Sequence, residues 1–238
     1  MVIYSIVYCP VRTTRYANLK CWRNAPPPTP KKNIVLDPGH GLSCPLIRQP
    51  AGAVGETEFP PNDPPSGRLR EDHLTMAIAL AAKQQLSAKY NVILTKADVN
   101  SCPNYIDRGK IANNARARVF VSIHINAPLQ VMGYPVPIPV PFVNGTSVLY
   151  NSEKPSSKAL ADSMSAAVAQ NLGVNNRGAE VRDDLAVLKP TVTNNPIPAV
   201  LLEAARLSGS DEKALHSAGS AGRIATGIQT AIEAFVGN

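Results

Sequence analysis

The stretch VFVSIHINAP, Val119–Pro128, is an unbroken apolar run of strand-forming residues that ends in histidine, asparagine and proline. A strand with no polar alternation is one covered on both faces, the usual state of a parallel sheet. The same pattern recurs along the chain. NIVLDPGHG (33–41) reads as a short buried strand over Ile34–Leu36 that runs into a Pro-Gly turn and His40. YNVILTKAD (90–98), GTSVLYN (145–151) and IPAVLLEAA (197–205) supply further strands.

Helical patterns alternate with these strands. REDHLTMAIALAAKQQLSAK (70–89) has acidic residues in its first turn and lysine at its end, as the helix dipole favours. YIDRGKIANNARA (105–117) reads as a second helix. In SSKALADSMSAAVAQNLG (156–173), Leu160, Met164, Val168 and Leu172 recur every fourth residue and Gly173 stops the helix. A single last helix is expected from Ser210 to Phe235, with Ile224, Ile228 and Ile232 on one face. The expected fold class is α/β, an open, mainly parallel sheet with helices on both faces. Two segments interrupt it, a Pro- and Gly-rich loop over Leu42–Arg68 and the proline-rich Leu129–Asn144. The alternating prolines of YPVPIPVPF (134–142) exclude a central strand or a helix there.

The formal net charge is +7, and its location decides what it means. Residues 1–33 hold six Lys and Arg and no Asp or Glu, which leaves Ile34–Asn238 at +1. The basicity belongs to a leader and not to a folded face, so no nucleic-acid partner is expected. The division is residues 1–33, a basic leader ending in the proline-rich linker APPPTPKK (25–32), and residues 34–238, the folded domain. No run reaches the length of a transmembrane helix. Met1–Tyr8 is too short for a signal core, and Tyr8 stands before Cys9 where a lipoprotein cleavage site needs a small residue. No Cys-x-x-Cys pair exists among Cys9, Cys21, Cys44 and Cys102, which removes a cysteine metal cluster.

Ligands of an open parallel sheet gather beyond the carboxyl ends of its strands. That rule selects His40, His124 and Glu203, each at the end of an apolar run, and Glu71, at the start of a helix facing the same edge. Two imidazoles and a carboxylate are the donor set of a catalytic zinc ion, which keeps a fourth position for water. A further carboxylate then serves as general base. Spacing alone leaves open which glutamate ligates and which is the base, and Glu56 and Glu58 are alternatives to Glu71. Glu203 carries the strongest single signal, since a carboxylate directly after Ala-Val-Leu-Leu is costly to bury without a purpose. His73 and His216 are expected to be solvated.

The motifs IVLDPGHG, GAVG, REDHLTMAIAL, RGKIANNARARVFVSIHINA, NRG and PAVLLEAA, in that order, resemble those of the zinc-dependent N-acetylmuramoyl-L-alanine amidases. The resemblance covers Asn33 to Phe235. It implies one zinc ion per chain held by His40, Glu71 and His124, with Glu203 as the catalytic glutamate. It also implies hydrolysis of the amide between N-acetylmuramic acid and L-alanine in peptidoglycan, hence action on the cell wall, in the periplasm or outside the cell. Asn126 is a candidate for orienting a ligand or the substrate, and Arg177 for contacting substrate carboxylates. A monomer is expected. The competing readings are an inactive peptidoglycan-binding relative and a zinc carboxypeptidase or other zinc amidohydrolase.

The chain departs from the family after Glu203, where ARLSGSDEKAL (205–215) replaces the usual aromatic residue and asparagine-bearing loop. Some members carry a blocking helix after the histidine strand. The prolines of residues 134–142 forbid one here, so an open site is expected. Cys44 and Cys102 follow the first and second strands. If those strands are neighbours, a disulfide between them would pin the metal loop and indicate an oxidising compartment, the alternative being two free thiols.

Overall fold

A computed structural model describes residues 30–41, 52–63, 65–127 and 144–237, with residues 130–131 and 134–135 described as backbone. Lys32–Asn238 form one compact unit. The strands are β1 (Asn33–Pro38), β2 (Val54–Phe59), β3 (Gly67–Arg70), β4 (Asn91–Leu94) and β5 (Val119–Asn126). They continue with β6 (Gln130–Val131), β7 (Tyr134–Pro135), β8 (Thr146–Tyr150), β9 (Asn176–Val181) and β10 (Ala199–Arg206). The helices are α1 (Glu71–Leu86), α2 (Tyr105–Asn114), α3 (Ser156–Leu172), α4 (Gly209–His216) and α5 (Ser220–Val236), with a 3-10 turn at Ala186–Leu188.

Six strands form the main sheet in the order β4-β1-β5-β10-β8-β9. All pairings are parallel except β10 with β8. The exception follows from the connection. The chain leaves β5 and enters β8 at the same edge of the sheet, and that gives β8 the antiparallel sense.

The apolar runs are explained by what covers them. Val119, Val121, Ile123 and Ile125 of β5 join Ile34, Leu36, Val200 and Leu202 in a core with residues of α1, α3 and α5. Val35, Phe120, Ala199 and Leu201 pack on the other face with Ala112 of α2 and Leu188 of the 3-10 turn. Successive residues of each strand thus bury against opposite layers. The helical layer is tight: a Cβ at Gly227 of α5 would lie 2.6 Å from the Val168 Cα of α3.

Three expectations need correction. The Leu42–Arg68 segment is not loop throughout, because β2 and β3 pair antiparallel within it. Buried Glu212 holds that hairpin by accepting hydrogen bonds from the Thr57 backbone and hydroxyl, both close to 3 Å. The last helix is two helices, broken at Gly219, whose φ of +75° suits glycine. His216 is buried and not solvated, stacked on Phe59 at a ring separation of 3.5 Å. His73 is exposed as expected. The proline-rich run lies outside the described residues, apart from the two-residue strands β6 and β7.

Candidate active site

The end of β1 sets the first part of the site. Gly39 donates its backbone N–H to the Ile123 carbonyl at 2.9 Å, which brings the turn under the end of β5. Glycine is required there, since a Cβ would come within 2.5 Å of the His124 Cε1. His40 follows with a φ of +57°, the left-handed region that non-glycine residues rarely occupy.

Its strained turn is held from below. Arg108 donates to the Pro38 carbonyl at 2.9 Å and to Asp37 Oδ1 at 2.6 Å. Lys96 donates to the carbonyls of Gly39 at 3.2 Å and His40 at 2.5 Å, and the Thr75 hydroxyl reaches Gly39 at 3.0 Å. Asp37 also accepts from Thr95 and Ser122, so this buried carboxylate is fully engaged. Burial pushes the Lys96 ammonium down to about 8, reinforced by the nearby Arg108 and opposed by Asp37. Strain at the His40 turn therefore persists because two cations and a hydroxyl fix its carbonyls.

Glu71 opens α1 and is 4% exposed. Its Oε1 lies 3.1 Å from His40 Nε2 and 3.0 Å from His124 Nδ1. The same oxygen accepts from the Ile125 N–H at 3.1 Å, and Oε2 accepts from Ala53 at 2.9 Å. Burial acts to raise the Glu71 carboxyl. Hydrogen bonds and charge from His124 and His40 outweigh it and hold the group below the usual carboxylate range. The three donor atoms lie within 4.8 Å of one another. Two imidazole nitrogens and an ionised carboxylate oxygen fit a zinc ion in both number and chemistry.

Glu203 stands in direct register with His124 across the β5–β10 ladder. Its Oε2 is buried with no hydrogen-bond partner among the described residues. Burial drives its carboxyl well above the usual range, the Glu71 charge adds to this, and Arg177 and Arg182 oppose it. The two carboxyl groups of the site are thus driven apart, one held ionised and the other inclined to carry a proton, as in an acid–base pair.

The structure gathers His40, Glu71 and His124 into one cluster, with Glu203 beside it. Glu56 and Glu58 are exposed on β2 and stand outside the cluster. Asn126 ends β5, and its carbonyl accepts from Leu207 at 2.8 Å. Arg177 lies on β9, 2.9 Å from Glu180, and acts on Glu203 through its charge. Sequence reasoning missed Lys96 and Arg108. Lys96 had a signal, because it follows the end of a parallel strand, whereas Arg108 sits inside a helix that offers none. Cavity size would not have found the site either. A cavity of about 530 Å³ lies beside Arg116 and Pro198, at the strands' amino ends, against about 200 Å³ beside the histidines.

Comparison with known proteins agrees with this geometry. The Amidase_3 family, described as N-acetylmuramoyl-L-alanine amidase, matches residues 34–234. The chain belongs to that family. An endolysin of Bacillus phage SPP1 is 30% identical over 186 residues, which cover 77% of this chain and 58% of that protein. The chain therefore spans little more than half of that relative. The catalytic domain of CwlV, an N-acetylmuramoyl-L-alanine amidase from Bacillus (Paenibacillus) polymyxa var. colistinus, superposes with a TM-score of 0.66 at 29% identity. The match covers 86% of this chain and 98% of that one. An N-acetylmuramoyl-L-alanine amidase from Clostridium difficile 630 gives 0.65 at 25% identity, over 87% and 97% of the two chains.

Proposed function

We propose that this chain is a zinc-dependent N-acetylmuramoyl-L-alanine amidase that hydrolyses the bond between N-acetylmuramic acid and L-alanine in peptidoglycan. The observation that carries this reading is the Glu203 carboxylate, whose Oε2 is buried without a hydrogen-bond partner among the described residues, in register with a His-Glu-His cluster. His40, Glu71 and His124 would hold the ion. Zinc so held supplies Lewis-acid polarisation of the scissile carbonyl and of water.

The chain's own residues do the rest. Glu203 takes the proton of the attacking water and returns it to the departing alanine nitrogen. Its raised affinity for protons suits the second step, and the opposing charges of Arg177 and Arg182 favour the first. The clamp of Arg108 and Lys96 keeps His40 in place throughout. With this substrate the place of action is the cell wall, from the periplasm or from outside the cell.

Digestion of purified peptidoglycan with and without a chelator tests the reading. New L-alanine amino termini without new reducing sugars, lost on chelation and restored by zinc, are expected. New reducing sugars, or release that persists without metal, would defeat it.

A further inference from the structure

Beside the cluster lies a cavity of about 200 Å³ whose lining includes His40 and His124. Tyr105, Leu185, Ala186 and Val187 also line it. Tyr105 is 39% exposed and Ile106 46%, two of the four large apolar side chains left open among the described residues. Both belong to the first turn of α2, so their position is fixed by a helix and not by a loop.

The charges at the base of this cavity are spent. Arg108 and Asp37 line it, but their side chains are 6% and 1% exposed and bound to each other at 2.6 Å. Breaking a buried pair leaves an uncompensated charge, so neither group is available to a ligand. The cavity therefore offers an aromatic face and aliphatic walls without a usable ion.

The sheet is different beyond Glu203. There Glu203 pairs with Ser147 of β8, which in turn pairs with Gly178 of β9, the neighbour of Arg177, and the charges of Arg177 and Arg182 act on Glu203. Their partners are Glu180 and Asp184, in pairs whose side chains are a quarter to two thirds exposed. Exposed pairs of this kind are worth little, and a substrate carboxylate readily replaces the acidic partner.

A muramyl peptide is asymmetric in the same way. Its sugar half is neutral when the lactyl group is in amide linkage, with an apolar ring face, and its stem peptide carries carboxylates. Building on the function proposed above, we infer that the cavity walled by Tyr105 and Leu185–Val187 is the subsite for the muramyl sugar, which directs the stem peptide toward Arg177 on β9. Tyr105 is a specificity residue in this arrangement. It stacks its ring on the sugar's C–H face and takes no part in proton transfer.

Binding to the zinc-loaded Glu203→Gln protein tests the assignment. Two probes are titrated: the muramyl disaccharide capped as its methylamide, and the free stem tripeptide. Adding Tyr105→Ala weakens disaccharide binding about tenfold and leaves the tripeptide unchanged, while Tyr105→Phe retains both. Adding Arg177→Met weakens the tripeptide alone. The inference is overturned by a parent protein that does not bind the disaccharide. It is equally overturned if Tyr105→Ala spares the disaccharide, or if it costs the tripeptide as much. Any of these results, where the wild-type chain still releases alanine termini from peptidoglycan, rejects the orientation alone. A wild-type chain that releases none rejects the function on which the orientation rests.

Discussion

Glu203 and His124 occupy paired positions on adjacent parallel strands, so the sheet itself fixes the distance between this carboxylate and an imidazole of the His-Glu-His cluster. No loop intervenes, and both strands are buried along nearly their whole length. A site built on strands keeps its geometry better than one built on loops.

Replacing Glu203 by glutamine keeps the shape and removes the base. Turnover should fall by about 10²- to 10⁴-fold while zinc binding is retained. Stability in chelator should move the other way. A carboxylate whose folded pKa is raised destabilises the fold once ionised. The wild-type protein therefore loses stability as pH rises from the unfolded pKa to the folded one. Glu203→Gln should lack that decline and melt higher at neutral pH. Wild-type turnover in this variant would remove Glu203 from the mechanism.

Arg177 offers a test by pH. Its charge favours the ionised form of Glu203, the form that accepts the water proton. Arg177→Met removes this support and also leaves Glu180 unpaired, and both changes push the Glu203 carboxyl further up. The acid limb of kcat/KM against pH should shift to higher pH. A limb that stays in place would show that Arg177 does not act on the base.

The clamp under His40 makes a separate prediction. Lys96→Met removes the donors to the Gly39 and His40 carbonyls and also removes a buried cation. Outer partners of a metal ligand typically contribute about 10- to 100-fold in metal affinity. Zinc affinity by competition with a chromogenic chelator should fall by that factor, while the metal-free melting temperature changes little. An equal loss in both would mean that Lys96 only stabilises the fold.

Much of this site was legible in the sequence because its residues end apolar runs. His40, His124 and Glu203 lie where buried strands stop, and Glu71 lies where a helix begins at the same edge. Strand β9 was not legible: NRGAEV is polar, half-exposed and at the edge of the sheet, so it shows neither an apolar run nor clean alternation. The β2–β3 hairpin was hidden for a different reason. Its charged side chains are exposed, and it is held by Glu212 of α4, more than 150 positions away, which no local pattern reveals. The break before α5 was hidden because the isoleucine spacing begins only at Ile224, and Gly219 is one glycine in a run of small residues.

The cysteine expectation leads to the last test. Cys102 is disulfide-bonded, and its partner lies outside the described residues, as does Cys44. Strands β1 and β4 are neighbours, the condition on which a Cys44 pairing rested. Gly41 sits directly against this cysteine, since a Cβ built on it would lie 3.2 Å from the Cys102 Cβ. Cys44 is three residues further along the chain, a reach of about 10 Å at most. Cys9 and Cys21 both precede Lys32. Peptide mapping without reductant should therefore recover a Cys44–Cys102 crosslink, and recovery of Cys102 linked to Cys9 or Cys21 would reject it. Closing a loop of that length constrains the unfolded chain by about 4 kcal/mol. Reduction should accordingly lower the melting temperature and, because the bond ties down the residues after His40, also weaken zinc binding.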